Sequence, residues 1–198
     1  MEILKLNEDN FEKLIEKLAK AIKEGKVLIC PTDTVYGLIC DATNEKSVKK
    51  IFKIKKRRKE KAISVFVKDL RMAKKYAFIN KEQEEFIKNN LNKKNTFILK
   101  RKKSNLLKIL FGKEKTIGIR IIDNKLINLL LDKTRKPLTA TSANISQKPA
   151  STEIKKVLKQ FEKQKIKPDI VIDSGNLSKS RPSQIIDLTK EKIIIKKR

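Results

Sequence analysis

The chain of 198 residues contains no histidine, and this absence excludes two large classes of chemistry. Without an imidazole there is no Ser-His-Asp or Cys-His catalysis, and most zinc sites lose a preferred ligand. Glycine is also scarce, and no two of the five glycines are close enough to share a phosphate-binding loop. Because the Walker and Rossmann fingerprints are both missing, a bound nucleotide must be held mainly by lysine, arginine, serine and threonine side chains.

Cysteines and long apolar runs are rare as well. Cys30 and Cys40 are too few for a disulfide framework, suit a reducing compartment, and are expected to be buried thiols. No apolar run approaches the roughly 20 residues that cross a bilayer. The first residues, Met1 to Lys5, carry no signal-peptide pattern. These absences predict a cytoplasmic protein without a membrane partner.

Negative charge is in short supply, since 50 lysines and arginines face 23 acidic residues and leave a formal net charge of +27. A field of this sign favours polyanions such as RNA or nucleoside triphosphates. A second interpretation is compositional drift in a chain rich in lysine, isoleucine and asparagine, with lysines on solvated faces. Aromatic residues are few, so a base-stacking platform for nucleic acid is not expected.

Apolar spacing alternates along the chain between the helical and the strand period. Helices are predicted over 11–22 (with Asn10 as N-cap and Gly25 as the stop), 48–55, 81–90, 106–110, 126–131 and 152–161 (with Thr152 as the cap). Strands are predicted over 27–30, 62–67, 96–99, 116–121, 138–141, 170–172, 185–188 and 193–195. No linker or repeat interrupts this alternation, which predicts one α/β domain over residues 1–198. Gly118 inside a strand marks a place that another group approaches closely.

Polar side chains gather where several of these strands begin or end. The most informative segment is PTDTVYGL at 31–38, which directly follows the predicted strand 27–30. The carboxyl end of a strand is where open α/β sheets bind ligands. The other polar clusters are 55–61, Thr116 with Arg120, 139–146 and 181–183.

Each cluster alone also has a simple structural explanation. The basic run 55–61 reads equally as a solvated loop, and Arg120 as a strand residue that faces water. The segment TSAN at 141–144 is typical of a helix-capping turn, and Asp33 of a turn cap. The combination of clusters is more informative than any one of them.

In order and in register, these segments resemble the YrdC-type threonylcarbamoyl-AMP synthase family over nearly the whole chain. The family motifs appear as PTDTVYGL (31–38), Lys55-Lys56-Arg57 with Lys61, TIGIR (116–120), TSANIS (141–146) and PSQIID (182–187). The resemblance implies a single YrdC-like domain, in which helices flank a twisted mixed sheet around a concave basic active-site groove.

The chain departs from the family pattern at four places. Arg58 stands where the family often has proline, and Gln147 stands where it has glycine. Residues 92–95 replace a W-P-G-P segment, and Lys196 is the nearest match to a late arginine. A lysine ammonium group is a point charge, whereas an arginine guanidinium can donate two parallel hydrogen bonds. A phosphate contact at Lys196 would therefore be weaker.

The resemblance implies an enzyme, a nucleotidyltransferase that condenses L-threonine, bicarbonate or CO2, and ATP to threonylcarbamoyl-AMP and pyrophosphate. The product serves threonylcarbamoyl modification of the adenosine beside the anticodon in tRNA, through a downstream transferase complex. Magnesium would come with ATP, held by ATP oxygens and water rather than by a direct protein ligand, with Asp33 as an outer-sphere partner.

The resemblance also implies which residues bind which substrate, and it assigns no covalent or acid–base catalyst. ATP binding falls to Lys55, Arg57, Lys61, Thr116, Ser142 and Asn144. L-threonine binding falls to Thr32, Tyr36, Arg120 and Ser183.

Two alternatives remain at this stage. One is a non-enzymatic protein that binds double-stranded RNA or tRNA through the same basic groove. The other is the carbamoyl-transfer module of hydrogenase maturation proteins, which normally lies in much longer chains with zinc-finger cysteines that this chain lacks.

Overall fold

The computed structural model describes residues 1–7, 10–91, 93–111, 115–180, 182–190 and 193–196. Within these ranges, ten strands form one mixed sheet. The strands are β1 Glu2–Lys5, β2 Leu28–Cys30, β3 Gly37–Ile39, β4 Ser64–Phe66, β5 Asn95–Lys100, β6 Thr116–Arg120, β7 Leu138–Ser142, β8 Ile170–Asp173, β9 Gln184–Asp187 and β10 Ile194–Lys196.

The strand order places segments that are distant in sequence side by side. It runs β1-β8-β2-β3-β7-β4-β6-β5-β9-β10. The pairs β1–β8, β2–β8, β4–β6 and β5–β9 are parallel, and the other neighbours are antiparallel. The middle of the sheet therefore brings the motif after β2 close to the ends of β6 and β7.

Six α-helices and one 3-10 turn flank this sheet in the described ranges. They are α1 Phe11–Lys23, α2 Glu45–Lys55, α3 Leu70–Tyr76, α4 Lys81–Lys88, the 3-10 turn Lys108–Leu110, α5 Lys125–Thr134 and α6 Ile154–Phe161. Side-chain caps begin four of the helices, because Asn44, Asp69, Asn80 and Asn124 each accept a hydrogen bond from a backbone N–H three residues on. These caps satisfy donors that the helix itself leaves unpaired.

The sheet separates two apolar layers. Neighbouring strand residues point to opposite faces, so Leu28 joins one buried cluster while Ile29 joins the other. Phe66 and Val65 divide in the same way. Helices α1 and α5 cover one face, and helices α2 and α6 contribute to the layer on the other. Near-continuous apolar strands are expected when both faces of a sheet are covered.

The structure confirms every predicted strand and the α/β class, and it corrects several details. Three short elements, β1, β3 and α3, are absent from the sequence prediction, and the predicted helix 106–110 is only a 3-10 turn. Thr152 is not the cap of α6, since Glu153 occupies that position without a side-chain cap bond. Propensity predicts boundaries poorly because tertiary packing decides where a short element stops.

Other expectations concern the cysteines and the membrane. Cys30 and Cys40 are fully buried free thiols, as predicted, and burial raises the pKa of both. Such thiols are poor nucleophiles because they stay protonated. Across the described residues, none of the helices has the length and apolar character needed to span a bilayer.

The structure also explains Gly118. A Cβ built at this position would lie 2.3 Å from the Ser64 hydroxyl oxygen and 3.0 Å from the Ser64 Cβ. The predicted close approach is confirmed, and the approaching group is the neighbouring strand β4.

We predict that Gly118→Ala lowers the free energy of unfolding by about 1–3 kcal/mol, because β4 and β6 must separate. Denaturant unfolding of Gly118→Ala, Ser64→Gly and the double variant would measure the coupling. Gly118→Ala should lower the free energy of unfolding clearly less in the Ser64→Gly variant than in the parent chain. Equal costs in both backgrounds would show that Ser64 is not what excludes a side chain.

Candidate active site

A cavity of about 380 Å³ lies against the middle strands of the sheet, within the usual size range of small-molecule sites. Its wall comes from seven segments that are spread along the sequence, and five of them include a strand (β3 to β7). The lining residues are Thr32, Thr34, Val35, Gly37, Arg57, Lys61, Ala62, Ile63, Ser64, Phe66, Thr96, Arg120, Ala140, Thr141, Ser142, Ala150, Pro182 and Ser183. Six of the ten predicted site residues are therefore brought together.

The turn between β2 and β3 is shaped by Thr32. Its hydroxyl donates to the carbonyl of Val35 (2.7 Å) and accepts from the backbone N–H of Thr34 (3.2 Å). Hydroxyls that bond to a nearby backbone group stabilise tight turns of this kind. A side chain on Gly37 would meet the Thr32 methyl at 3.1 Å, so glycine lets the turn lie close above the strand.

Arg120 ends β6 and is 7% exposed. Its Nη2 donates to both carboxylate oxygens of Asp33, each at 2.8 Å. The guanidinium carbon also lies 5.1 Å from the centre of the Phe66 ring. The predicted carboxylate-binding arginine thus reaches the cavity while paired with an internal carboxylate, and Asp33 serves as its ion-pair partner.

The basic loop after α2 supplies two further cations. Arg57 folds back on the loop, with Nε donating to the Lys61 carbonyl (3.1 Å) and Nη2 to the Ala62 carbonyl (2.7 Å). Lys56 ends the helix in a left-handed conformation, with φ at 49°. The loop is therefore organised, and both Arg57 and Lys61 line the cavity.

Lys55 lies behind the cavity wall rather than on it. Its side chain is 1% exposed, and Nζ donates to the Ser142 carbonyl and to the carbonyl (2.8 Å) and side-chain oxygen (3.0 Å) of Asn144. Burial, together with the nearby positive charge of Arg57, lowers the pKa of Lys55 to about 7. Its predicted contact with ATP phosphates stays a prediction.

Asn144 is likewise occupied within the protein. Its Oδ1 accepts from Lys55 and from the Ser142 hydroxyl (2.6 Å), while Nδ2 donates to the carbonyls of Ile145 and Lys148. The amide shapes the loop after β7 and leaves Ser142 on the wall. The predicted contact between Asn144 and the nucleotide stays a prediction.

Thr116 and Tyr36 are placed away from the cavity lining. Thr116 begins β6 and shares a face with Gly118 and Arg120, but it lies at the opposite end of the strand. Tyr36 is fully buried, and its hydroxyl donates to the Gly175 carbonyl (2.7 Å) and accepts from the Ser174 N–H (3.1 Å). Burial raises the pKa of this hydroxyl, which acts as a tether between two loops.

The cavity also contains residues that the sequence analysis did not assign. Thr96 is buried, and its hydroxyl oxygen lies 3.0 Å from that of the predicted residue Ser183 on the wall. Phe66 and Ser64 come from β4. The sequence could have indicated Ser64, Phe66 and Thr96, because each lies on a predicted strand and alternate residues of a strand share one face.

Some expectations lie beyond the described residues or stay predictions. Arg181, Asn92 and the side chain of Lys196 lie outside what the structure describes. The concave basic groove stays a prediction, although the cavity wall includes three cationic side chains. Within the described ranges, no group of three histidine, cysteine, aspartate or glutamate side chains could hold a metal ion.

The lowered pKa of Lys55 predicts a pH-dependent stability. An unfolded lysine titrates near 10.5 and the folded one near 7, so the unfolded chain binds more protons between these values. The contribution of Lys55 to the free energy of unfolding should therefore rise with pH across this window. Lys55→Met should abolish that rise. It should also lower the free energy of unfolding at pH 7 by more than about 2 kcal/mol, because the loop carbonyls lose their hydrogen-bond donor.

The measurement is denaturant unfolding of the parent and variant from pH 6 to 10. Lys53→Met is the matched control, since Lys53 is exposed in the same helix. Parallel pH profiles for all three proteins would contradict a lowered pKa at Lys55.

Comparison with known proteins identifies the family of this chain. The family model for Sua5, YciO and YrdC proteins, described as "Telomere recombination", matches residues 20–198. A Methanocaldococcus jannaschii protein named "Putative threonylcarbamoyl-AMP synthase" is 40% identical over 194 residues, covering 98% of this chain and 89% of that protein. A Haemophilus influenzae "Threonylcarbamoyl-AMP synthase" is 31% identical over 177 residues, covering 87% of this chain and 93% of its own.

Two solved structures share the fold. P. abyssi Sua5 complexed with L-threonine has a TM-score of 0.89 and 28% identity, and the match covers 98% of this chain and 56% of that one. E. coli YciO has a TM-score of 0.85 and 25% identity, and the match covers 100% of this chain and 94% of that one. The present chain thus spans little more than half of Sua5. Because the family model covers most of the sequence and relatives match it nearly end to end, the chain belongs to the Sua5/YciO/YrdC family.

Proposed function

We propose that this chain is a threonylcarbamoyl-AMP synthase, a nucleotidyltransferase that joins L-threonine, bicarbonate or CO2, and ATP. One structural observation carries the proposal most directly: a single cavity collects Thr32, Arg57, Lys61, Arg120, Ser142 and Ser183. Relatives of similar length that bear this activity in their names support it, as does the L-threonine bound to Sua5.

The chemistry suits a site without histidine. The amine of threonine adds to CO2 and loses a proton, which forms a carbamate. A carbamate oxygen then attacks the α-phosphorus of ATP, the bond to the β,γ-phosphates breaks, and pyrophosphate leaves. The substrates supply the nucleophile and the leaving group, so the protein must mainly position two anions and balance their charge.

The cations on the wall divide the work between the two substrates. Arg57 and Lys61 lie on one loop and would bind the triphosphate. Arg120, with its planar donor fork, would bind the threonine carboxylate, and the hydroxyls of Thr32 and Ser183 would contact the same substrate. Ser142, whose carbonyl accepts from Lys55, lines the cavity and would contact the nucleotide.

Magnesium enters this proposal with ATP. It commonly keeps several waters and is bound through substrate phosphates and few protein ligands. Among the described residues that line the cavity there is no carboxylate, so the ion would be held by phosphate oxygens and water. We also propose a cytoplasmic location, transfer of the product to a tRNA-modifying complex and direct tRNA binding.

The decisive assay is pyrophosphate release by the purified chain with ATP, magnesium and bicarbonate. We expect release that depends on L-threonine and is negligible without an amino acid or with L-valine, which replaces the side-chain hydroxyl by a methyl group. Absence of release, together with RNA binding that weakens steeply with salt, would instead favour the RNA-binding alternative that the charge of +27 suggests.

A matched pair of lysines tests the phosphate assignment. Lys61 lines the cavity, whereas Lys59 is exposed in the same loop and is not among the lining residues. We predict that Lys61→Met raises the KM for ATP about tenfold, the loss of one charge-assisted contact, and leaves the KM for threonine unchanged. Lys59→Met should match the parent. Equal effects of both variants would indicate a general influence of surface charge.

A further inference from the structure

Asp33 holds the guanidinium of Arg120 from outside the cavity. Among the described residues that line the cavity, Thr32 and Thr34 are present and Asp33, which lies between them, is not. Its two carboxylate oxygens nevertheless accept from Arg120 Nη2 at 2.8 Å each, and Arg120 does line the cavity. The carboxylate therefore holds the guanidinium without forming part of the cavity wall.

Both partners of this ion pair are shielded from water. The side chain of Arg120 is 9% exposed and that of Asp33 is 13% exposed. Removing either partner would leave a largely desolvated charge behind, so the pair strongly favours one arrangement. The guanidinium carbon also lies over the Phe66 ring, 5.1 Å from its centre. The ion pair and this cation–π contact together restrict the orientation of the guanidinium.

The acidic partner is itself well placed to impose this orientation. Its turn is closed by the two Thr32 hydroxyl contacts, to Val35 and to Thr34. In the sheet, β3, β7 and β4 lie between β2, which leads into this turn, and β6, which carries Arg120. The ion pair thus ties the arginine to a turn from another part of the sheet, across the strands that form the cavity floor.

We propose that Asp33 is a positioning residue that orients Arg120 for recognition of the carboxylate of the amino-acid substrate. The inference rests on the proposed function, since that function supplies the carboxylate. A carboxylate that competed with the substrate for the guanidinium would be expected on the cavity wall, whereas Asp33 lies off it. Asp33 therefore acts through Arg120 and does not contact the substrate.

The test is a comparison of steady-state kinetics in Asp33→Asn and Asp33→Glu with the parent chain. Asparagine keeps the size of the side chain and removes its charge. We expect the KM for L-threonine to rise by about ten- to a hundredfold, because misplacing a binding group by a fraction of an ångström is costly. The kcat should stay within about twofold, since ground-state and transition-state binding weaken together. Glutamate restores the charge and should recover part of the loss.

Asp132→Asn is the control for the loss of one negative charge, because Asp132 pairs with Lys68 at an exposed place on α5. It should leave both KM values unchanged. An unchanged KM for threonine in Asp33→Asn would overturn the proposal. A lower KM would also overturn it, because it would show that Asp33 competes with the substrate for Arg120.

A second measurement does not depend on turnover. Nuclear magnetic resonance can follow rotation of the Arg120 guanidinium about its Cζ–Nη bonds, which should be slow in the parent and faster in Asp33→Asn. Equal rates would contradict the positioning role even if the chain released no pyrophosphate. A parent chain with slow rotation but no threonine-dependent release would refute the proposed function and leave the orientation of Arg120 by Asp33 standing.

Discussion

A buried lysine side chain holds the loop on which one wall of the cavity depends. Lys55 ends α2, and its ammonium group donates to carbonyl oxygens of Ser142 and Asn144, while its own carbonyl accepts from the N–H of Ser146. An ammonium group that is shielded from water needs such acceptors. If the loop moved away, Lys55 would be left buried without hydrogen-bond partners. The next residues along the chain carry Arg57 to the same cavity. One buried charge therefore couples a helix end, a strand end and the basic loop.

The cation at the end of β6 is stabilised in a different way, by an ion pair. Arg120 is paired with Asp33, so the strand end carries little net charge of its own, although it presents a planar donor group to the cavity. Lys61 is exposed, and Arg57 bonds to carbonyls of its own loop. Two anionic substrates that repel each other would thus meet two arginines, Arg57 and Arg120, that the protein already orients. Such preorganisation lowers the energy needed to rearrange dipoles during reaction.

The family relationship alone does not decide the activity. It includes relatives named as synthases and also E. coli YciO, named "Uncharacterized protein YciO", with the same fold. Because one fold can host several functions, the residues of the cavity must indicate which activity this chain has. The cavity described here lies entirely within the part that this chain shares with the longer Sua5, which matches over 56% of its own length.

The sequence by itself determined the α/β class and eight of the ten described strands, because apolar periodicity is a local pattern. Its resemblance to the YrdC-type family also implied six residues of the cavity wall. Only the tertiary structure decided which side chains pair with groups far away in the sequence. Asp33 meets Arg120 across 87 positions, and the Tyr36 hydroxyl meets Gly175 across 139. No local pattern encodes such pairings, since they follow from the order of strands in the sheet. The burial of Lys55, and with it the low pKa, depends in the same way on a loop that lies 87 residues further along the chain.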